Sequence, residues 1–146
     1  MNLSNHMTLA EFESSPTATS KGISNSMNSA EIEAAKLLCE KVFEPIRAFV
    51  GGPIKINSGF RSAALNRAIG GSSTSQHCKG EAIDIPVGSK VFHYIKDKLD
   101  FDQLIWEFGD RNEPQWVHVS YKKSGNRKQV LRATKVGGKT SYVPFS

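Results

Sequence analysis

Apolar and polar positions alternate along the chain with periods that change from segment to segment. Ile32, Ala35, Leu38, Val42, Ile46 and Phe49 recur at three- and four-residue steps, the signature of one buried helical stripe. Asn28 followed by Glu31 has capping-box spacing, so the helix is expected to start there. Pro45 removes a hydrogen bond inside it and is expected to kink or loosen its last turn, before Gly51-Gly52-Pro53 ends it. Upstream, residues 1–27 are polar and rich in Ser, Asn and Thr, with Leu9, Phe12 and Ile23 as isolated apolar spots. They read as an arm lying on the domain, with a short helix around Thr8–Ser14.

Downstream, Ile54–Asn57 reads as a short β-branched strand, followed by a sharp Ser58-Gly59 step. A second helix is predicted over Ala63–Ile69, closed by Gly70-Gly71, and a polar loop over Ser72–Lys79. Ala82–Ile85 alternates, with Ile83 and Ile85 on one face and Ala82 and Asp84 on the other. Ser89–Leu99 is predicted as a third helix with Val91, Ile95 and Leu99 buried. Strands Gln103–Phe108 and Trp116–Tyr121 follow, joined by the turn-rich Gly109–Gln115, with one or two more near Gln129–Thr134 and Ser141–Val143. Helices leading into a small, mostly antiparallel sheet make the expected class α+β. Residues 28–146 then form one domain, with residues 1–27 packed on it.

Composition narrows the class. A chain of 146 residues and 16.0 kDa fits one domain with its own core. Hydrophobic content of 38% and a mean hydropathy of −0.37 disfavour disorder, collagen and coiled coil. No apolar run has the length of a membrane-spanning helix, and the start lacks the basic and apolar regions of a secretory signal. Cys39 lies in an apolar helical stretch and Cys78 in a polar loop, so free thiols in a reducing compartment are expected. These features point to a protein made in the cytoplasm.

The net charge is +5 and unevenly placed. No acidic residue follows Glu113, yet Lys122, Lys123, Arg127, Lys128, Arg132, Lys135 and Lys139 do. Such a stretch is either a solvated strand face or a surface for polyanions such as nucleic acid, cell-wall polymers or anionic lipid. No aromatic-interleaved nucleic-acid motif accompanies it.

The candidate chemistry lies in Ser75-Gln-His77-Cys-Lys-Gly80-Glu-Ala82-Ile-Asp84. A neutral imidazole and a carboxylate both suit a divalent borderline metal, and Gly80 lets the backbone turn between them. A third ligand must come from elsewhere. His118, mid-strand in Trp-Val-His-Val-Ser, is the better placed histidine; His6 lies in the arm and His93 on a helix. Two histidines and one carboxylate leave an open coordination position, as catalytic zinc requires. Polar loop residues without a metal are the alternative.

Ser-x-His-x-x-Gly-x-Ala-x-Asp with a later Trp-x-His resembles the zinc D-alanyl-D-alanine carboxypeptidases, a group with VanX-type dipeptidases, phage endolysin peptidases and the hedgehog signalling domain. Ser-Gly-Phe-Arg-Ser at 58–62 is similar to the family's Ser-Gly-[Tyr/Phe]-Arg segment, and Thr8-Leu-x-Glu-Phe and Gly22-Ile-x-Asn resemble its short phage-type members. The resemblance implies a hedgehog/DD-peptidase-like fold and one zinc per chain, held by His77, Asp84 and His118. It also implies that Arg61 grips a substrate carboxylate, against the alternative of a structural salt bridge. Ser75 would bond the substrate or the motif loop, or act as a turn cap.

Many members carry an acid three residues before the last histidine, where this chain has Gln115. Shorter members use an acid ending the preceding strand, which implies Glu107, with Glu113 as the alternative. A hairpin placing Glu107 opposite His118 would set both on one face. Trp106 and Trp116 read as core or cleft-wall aromatics and Cys78 as a bystander. The resemblance thus implies a zinc peptidase, a monomer that cuts peptidoglycan stem peptides, as a phage or prophage endolysin acting on the wall after release. Its basic end could hold anionic wall polymers. Two rivals are a zinc-containing wall-binding module without catalysis, which Gln115 keeps open, and a basic nucleic-acid-binding protein.

Overall fold

The computed structural model describes residues Met1–Ser146. Its chain opens with a small hairpin, β1 (Asn2–Ser4) and β2 (Met7–Thr8), then α1 (Leu9–Glu13) and α2 (Pro16–Lys21). Thr8 and Glu11 close a capping box on α1. The hairpin and α2 were not visible as periods in so polar a segment. Leu3, Met7 and Phe12 nonetheless lie in the main core cluster.

The long helical stripe divides into α3 (Ser29–Leu38), one π-helical turn (Cys39–Phe43) and α4 (Glu44–Val50). Asn28 and Glu31 form the anticipated capping box. Pro45 does not loosen the last turn; the irregularity lies before it, where the Glu44 N–H bonds to the Cys39 carbonyl. The wider turn accommodates the ring and missing donor of Pro45. Ala35, Leu38, Val42 and Ile46 are fully buried, while Phe49 is half out and stacks on Tyr94.

Ile54–Asn57 does not form the expected strand. Ile54 and Ile56 pack against the core, but the only ladder contact is a bridge from Ser58 to Asp84. Next, Phe60 N–H bonds to the Phe12 carbonyl, which diverts the chain toward the arm. α5 (Ala63–Ala68) follows, then a 3-10 turn at Gln76–Lys79 within the expected loop, β3 (Ala82–Ile85) and α6 (Ser89–Lys98).

β4 (Gln103–Glu107), β5 (Trp116–Ser120), β6 (Gln129–Val136) and β7 (Lys139–Pro144) complete a five-stranded sheet of order β3-β5-β4-β6-β7. Only the β4–β6 pair is parallel. The sheet buries Ile83, Ile85, Leu104, Trp106, Val117 and Val119 against α3, α4 and α6. Period-two alternation sends Asp84, Ile105, Glu107 and His118 to the opposite face. The fold is α+β, and that second face carries the site.

Candidate metal centre and active-site groove

Asp84 and His118 are direct partners in the β3–β5 ladder, so their side chains share one face. His118 Nδ1 lies 3.0 Å from Asp84 Oδ1, and His77 Nε2 lies 3.3 Å from the same oxygen. His77 comes from the 3-10 turn, which Ser75 caps by accepting a hydrogen bond from the His77 N–H at 3.2 Å. The other ring nitrogen, Nδ1, donates to the Gly59 carbonyl at 2.7 Å. That bond fixes the tautomer and leaves the Nε2 lone pair facing the cluster. A Cβ on Gly59 would meet the Phe12 carbonyl oxygen at 2.5 Å, so only glycine brings this carbonyl under the ring.

The donor set fits zinc. His77 Nε2 is buried without a hydrogen-bond partner, and burial lowers its pKa, favouring the neutral ligand form. The three donor atoms lie within 4.8 Å of one another; tetrahedral zinc at its usual bond lengths would space them by about 3.3 Å. Burial pushes the Asp84 carboxyl up, but its close contacts with His77 and His118 outweigh that and hold the group ionised.

Glu107 stands on the same face, 8% exposed. It pairs with Trp116 rather than His118, since Ile105 is opposite His118. The expected register is therefore wrong by two residues, a shift that preserves the face because side chains alternate with period two. Burial raises the Glu107 carboxyl to about 7; His118 and Arg61 pull it down and Asp84 pushes it up. These residues line a groove of about 910 Å³ that also includes Arg61, Trp116 and Tyr142. Gln76 Oε1, His77 Nε2 and Trp116 Nε1 are the buried side-chain polar atoms left unpaired, and all three belong to groove residues.

Residues 5–120 match the family described as Peptidase M15. The chain belongs to the peptidase M15 family. A 40-residue stretch is 48% identical to the zinc D-Ala-D-Ala carboxypeptidase of Streptomyces albus G, covering 27% of this chain and 16% of that protein. The His77–Asp84–His118 cluster is a donor set that could hold the zinc of such a peptidase.

In this M15 chain the Ser-Gly-Phe-Arg segment wraps the centre. Ser58 bridges Asp84 in the ladder, Gly59 orients His77, Phe60 anchors in the core, and Arg61 reaches back. Arg61 Nη2 lies 3.4 Å from Asp84 Oδ2, Nη1 3.3 Å from Asn66 Oδ1, and Nε 3.1 Å from Ser58 Oγ. The guanidinium thus makes a structural ion pair while lining the groove. Sequence reading missed Asn66, which is buried and tied to the Ser72 carbonyl, because its only signal was a polar residue in a short helix. It missed Tyr142 because a strand register was needed to place it.

Other candidates lie elsewhere. Glu113 caps α6, accepting from Ser89 N–H at 2.8 Å and Ser89 Oγ at 3.1 Å. Gln115 lines a separate groove with Phe108, Arg111 and Arg132. His6 pairs with Glu44, and His93 packs on the Phe92–Trp106–Phe145 rings. Trp106 is core, whereas Trp116 lines the site groove. Cys39 and Cys78 are free, and Cys78 lies outside the ligand cluster.

Proposed function

We propose that the protein is a zinc-dependent hydrolase of peptide bonds in bacterial peptidoglycan stem peptides, of the D-Ala-D-Ala carboxypeptidase or L-Ala-D-Glu endopeptidase type. The observation that carries the reading is Glu107 and the His77–Asp84–His118 cluster on one sheet face, inside one groove. Zinc, when bound, supplies a Lewis acid for the scissile carbonyl and lowers the pKa of water. Asp84 stays ionised beside both imidazoles, and the Gly59 carbonyl keeps His77 in the ligating tautomer. Glu107 takes a proton from the attacking water at its carboxylate and returns it to the leaving amine. Burial favours its protonated form and so makes the carboxylate a better proton acceptor than an exposed one. Arg61 presents a planar fork for a substrate carboxylate, with Ser75 at the edge of the same groove.

The basic C-terminal region supports contact with anionic wall polymers in part. Arg127 and Lys122 are engaged by Asp102, and Arg132 and Lys135 lie over aromatic rings. Lys123, Lys128 and Lys139 are left exposed for that role. A monomeric phage or prophage endolysin, made in the cytoplasm and acting after release, is the setting we assign.

Purified zinc-loaded protein incubated with peptidoglycan, followed by mass spectrometry of the soluble fragments, tests the reading. New stem-peptide ends are expected and identify the bond cut. Intact stem peptides across Gram-negative and Gram-positive walls would overturn hydrolysis in favour of a zinc-containing binding module.

A further inference from the structure

β6 and β7 lie beyond residues 5–120, the part of the chain matched by the family. They are joined through Gly137-Gly138, both at positive φ (57° and 79°), a two-residue turn whose twist suits the flanking strands. The turn fixes the register in which Tyr142 faces Ala133, and the β4–β6 ladder sets Ala133 beside Glu107. Trp116, Glu107, Ala133 and Tyr142 therefore form one row across the sheet, on the groove face. Ala133 is fully buried and carries only a methyl group, so no bulk rises between Glu107 and Tyr142.

Tyr142 is 55% exposed, and its ring does not stack on another aromatic. It lines the groove from the β7 edge, while Arg61 lines it from the β3 edge. Partial burial, and then the carboxylates of Glu107 and Asp84, push its phenol up, so the hydroxyl remains a donor at neutral pH. A half-exposed aromatic with a free hydroxyl contributes little to a core. It is well suited to lie along a peptide, with an apolar ring and one hydrogen bond to offer.

We infer that the β6–β7 hairpin forms the wall of the substrate groove opposite Arg61, and that Tyr142 positions the stem peptide there. Its ring packs against the bound peptide and its hydroxyl donates to a peptide carbonyl, so the row from Trp116 to Tyr142 sets where the chain lies over Glu107. This rests on the proposed stem-peptide reading.

The test is a calorimetric titration of a synthetic muramyl pentapeptide into zinc-loaded Glu107→Gln protein, in which cleavage is suppressed. Adding Tyr142→Ala is expected to weaken Kd about tenfold, and Tyr142→Phe about threefold, the worth of one hydrogen bond. Zinc content and melting temperature should stay unchanged, which a merely structural role would not allow. Unaltered affinity in Tyr142→Ala overturns the inference and leaves the proposed function standing. Wild-type affinity in Tyr142→Phe with weakened Tyr142→Ala overturns the hydroxyl's part. Failure of the Glu107→Gln protein itself to bind the pentapeptide overturns the stem-peptide reading, and the inference with it.

Discussion

Asp84 Oδ1 is shared by two histidines, His118 Nδ1 at 3.0 Å and His77 Nε2 at 3.3 Å. Both rings therefore present a nitrogen to the same carboxylate oxygen, and the three donors converge on one point. The β3–β5 register supplies the first pairing and the Gly59 carbonyl steers the second.

Metal binding should depend on each ring. Purified protein is expected to hold one zinc per chain, and His77→Ala or His118→Ala should lose metal and activity together. Metal analysis of the dialysed variants checks this; full zinc retention in both would place the site elsewhere.

Glu107→Gln keeps size and hydrogen bonding but removes the base. Hydrolysis should fall by about 10²–10⁴-fold with zinc retained. Glu113→Gln should leave hydrolysis nearly unchanged and lower stability by less than about 1 kcal/mol, because Glu113 caps α6. A kinetic comparison with thermal melts separates these roles, and loss of activity in the Glu113 variant alone would reverse them.

The pH profile follows from Glu107. Its carboxyl, pushed up to about 7 by burial, accepts a proton only when ionised, so kcat/KM should fall as pH drops through its pKa. A bound dication nearby would favour the carboxylate, so the acid limb of the zinc-loaded enzyme is expected below that value. Glu107→Gln should abolish this limb, and a limb that persists would assign it to another group.

Arg61→Lys retains positive charge beside Asp84 but exchanges a planar fork for a point charge. KM for a substrate bearing a free carboxylate should rise about tenfold, with zinc content little changed. A large fall in melting temperature with normal activity in the folded fraction would restrict Arg61 to its ion pair.

Asp102 is fully buried and accepts from Gln76 Nε2 at 2.9 Å and from Arg127 Nη2 at 2.7 Å. Hydrogen bonds from Arg127, against burial, hold its carboxyl below the ordinary range. Its stabilising effect is present above the unfolded pKa of about 4 and is lost as pH falls through the lower folded value. Asp102→Ala should destabilise by about 2 kcal/mol at neutral pH through the lost charge-assisted hydrogen bonds, measured by denaturant titration. An unchanged midpoint would show that the β5–β6 crossover holds without it.

The periods of two and three to four exposed the long helical stripe and the faces of the central strands, because those depend on one residue's relation to its near neighbours; around α6 the expected Val91 and Leu99 are only partly buried and Phe92 takes the core position instead. Alternation placed Asp84 on one face and His118 mid-strand, but the set His77, Asp84 and His118 came from the resemblance of the two motifs, since a turn residue such as His77 carries no periodic signal. The β4–β5 register was not legible, since Phe108 at φ 56° and the Asp110–Glu113 bonds set the connection's length. Parity rescued the placement of Glu107. Ile54–Asn57 looked like a strand because burial and ladder pairing produce the same β-branched pattern, and here only burial applies. Tyr142 depended on two successive registers, and neither leaves a local mark.

The proposed centre would take its ligands from a short 3-10 turn and from two paired strands, with no two of them adjacent in sequence. An unfolded chain offers no such set, so affinity for the cation becomes resistance to unfolding. At free zinc a hundredfold above Kd the gain is about 2.7 kcal/mol. Durability against heat and proteolysis is then partly an environmental variable. The same polypeptide would be hardier where zinc is plentiful and more fragile where chelators strip it, losing endurance and chemistry at one stroke.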